Sequence, residues 1–417
     1  MRSVQVIVIG GGASGMMAAI TASRAGKKVL LLEKMNRLGK KILATGNGRC
    51  NFTNARQTPA CYRGQDVSYA WDVLQQFDQT KVLSFFHTLG VLAKERDGYY
   101  YPVSGQASTI LDALCRCIHD CGIEVHLEET VRRIQSDAKR GYVVHTSKDR
   151  YQARTVILAT GGKAAGVHGS TGDGYQFARE LGHTLVPVVP ALTSCILKGD
   201  FMKNWTGVRV QGTVSLYDDT TGSLLASDTG ELQMVAYGLS GIPVFQISRF
   251  AAEALQRGHK VCIHMDILPQ LTQEELLQEL LTRRSAFKEW QGIELLNGLM
   301  HHKLAIVLLD SLGISGKQPV STWPDSLPER IAARIKDWKL GVKGVSDFDK
   351  AQVCAGGVSV RELGQHTLES SLHPGLFFAG EVVDVDGICG GYNLQWAWSS
   401  GWLAGVSAAA FGEEKAV

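Results

Sequence analysis

Residues 4–15 read VQVIVIGGGASG. Val4 to Ile9, apolar and β-branched apart from Gln5, is a run of the kind a parallel strand needs when both of its faces are buried. Gly10, Gly12 and Gly15 then supply a G-x-G-x-x-G turn that encloses Ala13 and Ser14. Met16 to Ala25 reads as a helix of small and apolar residues. Val29 to Leu32 is a second strand, ending in Glu33 and Lys34. Strand, tight turn, helix, strand and terminal acid in this order predict a dinucleotide-binding unit. The first glycine permits the turn, the second lets a pyrophosphate touch the backbone, and the third lets helix and strand pack closely. The amino end of the helix favours the phosphate charge. Glu33, rather than an arginine, suits an unphosphorylated ribose, hence NAD or FAD. The motif alone does not choose between them.

Length and composition bound the rest. The 417 residues can hold two or three domains. With 20 % charged and 45 % apolar residues the composition is that of an ordinary globular protein. A net charge of +3 gives no reason to expect a nucleic-acid partner. The glycine cluster interrupts the only early apolar run, so neither a signal peptide nor a spanning helix is expected. The nine cysteines are odd in number, scattered and without a CxxC pair. They read as free thiols in a reducing cytoplasm, with no metal site. No feature of the sequence sets an oligomeric state.

Arg37 to Asn54, RLGKKILATGNGRCNFTN, decides between the two dinucleotides. An NAD dehydrogenase continues into the next helix and strand. This chain instead presents Lys40, Lys41, Thr45, Gly46, Asn47, Gly48, Cys50 and Asn51. Small residues, lysines and amides suit an extended cofactor with a ribityl chain and a flavin ring; a solvated glycine-rich loop is the alternative. Short strands are expected at 122–125, 130–134, 142–146 and 155–158. The last runs into Ala159, Thr160 and Gly161, a turn that would pass beside FAD. Near the other end, a strand over 375–379 leads to Gly380 and Glu381, an acid placed for a ribityl hydroxyl. Gly390, Gly391, Asn393 and Leu394 then open a tryptophan-rich helix whose amino end can face the flavin N1–C2=O edge.

Together, "VIGGGASGMMAA", "RLGKKILATGNGRCN", "YGLSGIPVFQISRF", "AQVCAGGV" and "FAGEVVDVDGICGGYNLQWAWSSG" resemble the BaiN/YhiN-type bacterial flavoproteins over almost the whole chain. The resemblance implies an NAD(P)/FAD-dependent oxidoreductase with a glutathione-reductase-like FAD domain. It also implies adenine pairing at the backbone of Val131, ribose at Glu33, and flavin contacts at Glu381, Asn393 and Leu394. One departure is Met234-Val235-Ala236 before "YGLSG", where many relatives carry Phe-Thr; this puts transfer of a substrate from relatives in doubt. "GDGY" and "AGGV" also echo fumarate reductase flavoproteins, but no His-Tyr pair precedes the latter glycines. A dicarboxylate substrate is therefore not expected.

The expected class is α/β: a Rossmann-like FAD-binding domain of glutathione-reductase type over 1–189 and 349–417, carrying an insert. The insert divides into a small antiparallel β-barrel over 190–268 and a helical module over 269–348, whose first helix starts at a Thr272/Glu275 capping box. No second G-x-G-x-x-G is found, so NAD(P)H would be a transient donor. The expected reaction is reduction of a C=C bond in an apolar enone-like small molecule. The alternatives are an amine oxidase acting on an aminoacetone-like substrate with oxygen, an RNA-binding or tRNA-modifying flavoprotein, and a non-catalytic redox sensor. Candidate catalytic residues are Arg49, Asn51, Tyr237 and Tyr392, each weighed against simple packing or pairing.

Overall fold

The computed structural model describes residues 2–137 and 141–412. Residues 1, 138–140 and 413–417, which fall inside the expected FAD domain, lie outside the described residues. The chain forms two compact units, residues 1–189 with 348–417, and residues 190–347.

In the first unit β1 (Arg2–Ile9), α1 (Ala13–Arg24) and β2 (Val29–Leu32) make the opening βαβ. β1 pairs in parallel with β2, and on its other side with β6 (Arg150–Leu158). β3 (Glu124–His126) extends the sheet beyond β2. A meander of β4 (Val131–Asp137) and β5 (Gly141–Thr146) runs antiparallel into the first half of β6. The second half of β6 pairs in parallel with β7 (Leu376–Phe378), contributed from the far end of the sequence. The order is β3-β2-β1-β6-β5-β4, with β7 beside β6. Val6 to Ile9 and all of β2 are buried, as their unbroken apolar runs require.

The final helix, α2 (Tyr392–Ala410), lies on α1. A Cβ at Gly401 would stand 2.4 Å from the Ser14 carbonyl oxygen, and one at Gly405 2.6 Å from that of Ala18. The helices touch backbone to backbone, which only small residues allow. Three helices that the sequence reading passed over, Val67–Gln76, Gln79–Thr88 and Ala107–Asp120, also belong to this unit. The first two carry plain start signals: Asp66 and Asp78 accept from the amides of Tyr69 and Lys81 at 3.1 and 2.9 Å.

The insert is one unit, which corrects its expected division at residue 268. Its closed barrel runs Cys195–Leu197, Gly238–Ser240, Ser223–Val235, Arg209–Asp218, Val261–Asp266 and Trp338–Val345. The sixth strand follows the helices, so these form an excursion between two barrel strands and not a separate module. Residues 295–312, whose apolar spacing reads as one helix, are broken between Gly292–Asn297 and His302–Ser311. The capping box at Thr272 and Glu275 is formed.

A buried histidine makes the first unit acid-sensitive. His183 has Nδ1 3.0 Å from Glu362 Oε2 and Nε2 2.9 Å from Ser370 Oγ. Burial lowers its pKa below the ordinary 6.5, overriding the opposite pull of Glu362. The folded chain thus prefers the neutral ring. That stabilisation is complete above pH 6.5 and is lost as pH falls from there through the lowered value. The Glu362 carboxylate, whose pKa is lowered from 4.5, weakens the fold only in more acid solution. Thermal unfolding midpoints between pH 7.5 and 5.5 are expected to fall in the wild type, and to fall less in His183→Gln. A second expectation concerns the helix contact. Gly401→Leu should destabilise by about 3 kcal/mol or more, because backbone stands where the side chain must go; urea unfolding reads this.

Candidate functional site

The turn after β1 has the form a pyrophosphate needs. Gly10 has φ +104°, and a Cβ there would lie 2.4 Å from the Ala159 carbonyl oxygen. A Cβ on Gly15 would lie 1.8 Å from Gly10 O. Gly12 differs: its φ of −80° suits any residue, and no atom comes within 4 Å of its Cβ position. The first and third glycines are required by the fold, whereas the second keeps space open at the amino end of α1. No side chain caps that helix end.

Glu33 closes the next part of the cradle. Its two carboxylate oxygens accept from the Gly11 and Met35 amides, each at 2.7 Å. This fixes the carboxylate while leaving lone pairs for ribose hydroxyls. A pocket of about 410 Å³, its open mouth included, is lined there by Gly10, Glu33, Glu129, Val131, Thr160 and Phe177. Lys34, expected on the cofactor, is held across the same pocket by Asp173 at 2.6 Å and Thr171 at 2.5 Å. Asp173 keeps its carboxylate charged through these partners, its pKa held below the ordinary value in spite of burial.

At the other end, Gly391 precedes α2 with φ +93° and no side chain caps the helix. The first amide to find a helical partner is Gln395 N, 2.9 Å from Gly391 O. The Tyr392, Asn393 and Leu394 amides thus form an uncapped positive end. Beside it lies Asn51, buried, its Oδ1 2.8 Å from the Cβ position of Gly391 and without a hydrogen-bond partner. A buried acceptor left unpaired costs about 1–3 kcal/mol, which a ligand donor recovers. Donors for a C=O and an acceptor for an N–H stand side by side, complementary to the pyrimidine edge of an isoalloxazine ring. Space for the pyrophosphate, a fixed acid for the ribose and this edge together fit FAD.

A family model described as "HI0933-like protein Rossmann domain" matches residues 4–407. The chain belongs to this family. It is 42 % identical over 404 residues to the 3-dehydro-bile acid delta(4,6)-reductase of Clostridium scindens, covering 96 % of this chain and 98 % of that protein. It is 29 % identical over 410 residues to the ribosomal RNA dihydrouridine synthase of Escherichia coli, covering 96 % and 97 %. Among solved structures, a quinol-fumarate reductase with menaquinol aligns with TM-score 0.51 at 17 % identity, over all of this chain and 73 % of that one. The 3-ketosteroid delta1-dehydrogenase of Sterolibacterium denitrificans aligns at 0.50 and 13 %, over 98 % and 100 %. These two likenesses establish the fold. The protein is an FAD-fold oxidoreductase of the HI0933-like family, and no helix among the described residues is long and apolar enough to cross a membrane.

Several residues expected at the cofactor also carry contacts within the chain. Glu381, assigned to a ribityl hydroxyl, is engaged by Lys41 Nζ at 2.9 Å and by the Cys354 amide at 2.8 Å. The Asn393 side chain bonds both Gly387 N and Gly387 O, at 2.9 and 2.8 Å, so only its backbone can serve a ligand. The Tyr392 hydroxyl donates to Arg56 O at 2.9 Å, and burial raises its pKa well above 10. A proton donor should be the reverse, exposed and easily deprotonated. Cys50 is buried and its thiol pushed up to about 12, so it is not a redox thiol. Gly46, Asn47 and Gly48 form an exposed turn with left-handed Gly46 and Asn47, after the short helix that holds Lys40 and Lys41 and before Cys50. Thr45 hydrogen-bonds Ile42 O at 2.6 Å. Gly161 follows Thr160 at the end of β6, and Gly380 lies against Ser14, whose Oγ is 2.4 Å from a Cβ position there. Tyr237 belongs to the insert unit. Glu129 was not foreseen at the pocket; its only signal is a buried acid two residues before Val131.

Two glycine variants separate folding from cofactor binding. Gly12→Val is expected to fold with near wild-type thermal stability but to purify with less than about a tenth of the flavin, since its side chain enters only open space. Gly10→Val is expected to fail in folding. Absorbance near 450 nm together with circular dichroism checks both outcomes.

Proposed function

We propose that this protein is an FAD-dependent reductase that saturates a C=C bond conjugated to a carbonyl in an apolar, enone-like small molecule, with NAD(P)H as the donor. The observation that carries this reading is end-to-end identity of 42 % to a reductase of a dienone-type bile acid, in a chain whose own cradle fits FAD. When bound, FAD supplies hydride chemistry: it takes a hydride from a reduced nicotinamide and passes it to an electrophilic alkene carbon.

The chain's own residues bind and tune. Glu33 fixes the ribose, and the amino end of α1 receives the pyrophosphate. The amides of α2 offer fixed positive charge where negative charge gathers on reduction, at no reorganisation cost. Asn51 holds the ring's N–H edge. Lys41 ties the segment after β2 to Glu381, so the two distant parts of the sequence that contact the ring keep one geometry.

A second reading has a specific observation behind it. The relatives at 29 % identity are named for making dihydrouridine in ribosomal RNA, which is also saturation of a C=C bond next to a carbonyl. The electron chemistry is shared and the carrier of the ring differs. The full-length similarity at 42 % supports the small molecule over the RNA.

Anaerobic mixing with NADH or NADPH is expected to bleach the flavin, and a carboxylated steroid 4,6-dien-3-one is expected to restore its colour with loss of the dienone absorbance. Recolouring by a uridine-containing RNA alone would move the substrate to the second reading. Bleaching by aminoacetone but by neither nicotinamide, reversed by oxygen, would make the protein an oxidase.

A further inference from the structure

Strand Tyr99–Pro102 runs between Thr53–Asn54 and Ala93–Arg96 in a three-stranded antiparallel sheet. Tyr99 and Tyr101, two residues apart, share one face of it. That face borders both turns that hold the ring end of the cradle. Tyr99 Cε1 is 2.9 Å from the Cβ position of Gly390, just before α2. Tyr101 Cε1 is 3.6 Å from that of Gly46, which is itself 3.0 Å from Asn51 N.

Arg49 lies on Tyr101, its Cζ 5.6 Å from the ring centroid. Its Nε donates to Gly46 O at 3.3 Å, and no carboxylate among the described residues pairs with it. The acids of the neighbouring hairpin are already used: Glu95 accepts from the Gly98 amide and Asp97 pairs with Arg96 at 3.6 Å. From residue 34 to 65 the sequence has seven lysines and arginines and no acid. An exposed guanidinium within cation–π distance of a ring is left with N–H groups that no carboxylate among the described residues takes.

We propose that the Arg49–Tyr101 pair is the recognition element for the reductase's acceptor, a flat carbonyl-conjugated ring carrying an anionic group. This rests on the reductase reading above and deepens it. The N–H edge takes the carboxylate or phosphate in a two-bond contact, and the guanidinium face with Tyr101 receives the ring plane. Lysine at position 49 keeps the charge but offers neither the fork nor the face. The same chemistry arrives on a carboxylated steroid dienone or on a uracil in a single-stranded RNA.

Equilibrium dialysis against flavin-loaded protein tests this with three probes: a carboxylated steroid 4,6-dien-3-one, its methyl ester, and a uridine-containing oligoribonucleotide. One of the two anionic probes is expected to bind the wild type, and which one identifies the source. Arg49→Lys and Tyr101→Leu should each weaken that binding about tenfold, Tyr101→Phe should not, and in turnover the loss should fall on KM rather than kcat. If the acid is the ligand, its ester should bind about tenfold more weakly than the acid and be nearly indifferent to Arg49→Lys. Unchanged affinity in Arg49→Lys and Tyr101→Leu, or no binding of either anionic probe to the wild type, overturns the proposal. Binding that the variants weaken, without reduction of any probe, would uphold recognition while the reductase reading fails.

Discussion

The backbone contact between α1 and α2 is the constraint on which the cofactor cradle depends. Gly401 over Ser14 and Gly405 over Ala18 let helices from opposite ends of the sequence touch without intervening side chains. Once they touch, the rest of α2 reaches its partners. Trp396 Nε1 donates to Gly380 O at 3.0 Å, and Ser400 Oγ accepts from Gly380 N at 2.9 Å. Trp398 Nε1 donates to Phe52 O at 2.9 Å, next to Asn51. Gln395 accepts from Thr53 Oγ1 at 2.5 Å and donates to Phe77 O at 3.0 Å. The tryptophans of this helix therefore act as buried polar staples as well as apolar bulk. They hold the Gly380 turn and the Asn51 segment in one arrangement with respect to the uncapped amides of the helix start.

In the proposed reading two helix amino ends serve one extended ligand: that of α1 would face the pyrophosphate, whose charge is permanent, and that of α2 the ring, whose charge grows only on reduction. The first contributes affinity and the second contributes to the redox equilibrium. The Lys41–Glu381 pair, half-buried, neutralises itself and adds rigidity more than net charge.

Much of this was legible in the sequence, where the signal was local. Val4 to Glu33 contains strand, turn, helix and acid in register, and the structure reproduces each. The FAD fold and the barrel in the insert were also readable, because strand alternation and glycine turns are short-range. What the sequence could not show is long-range pairing. Glu381 looked like a ligand because nothing near it in sequence revealed Lys41 or the Cys354 amide. The Tyr392 hydroxyl and the Asn393 side chain are taken up by Arg56 O and the Gly387 backbone, partners that only the fold brings close. Trp338–Val345 gave no strand signal in the sequence, since its barrel partners lie on the far side of the helical excursion. Tyr101 drew no notice at all, being defined only by Arg49 lying upon it.

The central claim is that the flavin ring ends against the amino end of α2, with Asn51 beside it. Spectroelectrochemical titration of the purified holoprotein measures the consequence directly, as the midpoint potential of the bound flavin. The account predicts a value more positive than that of free FAD, because fixed amide donors favour the charge of the reduced ring. A bound flavin with a potential equal to or below that of free FAD would contradict it.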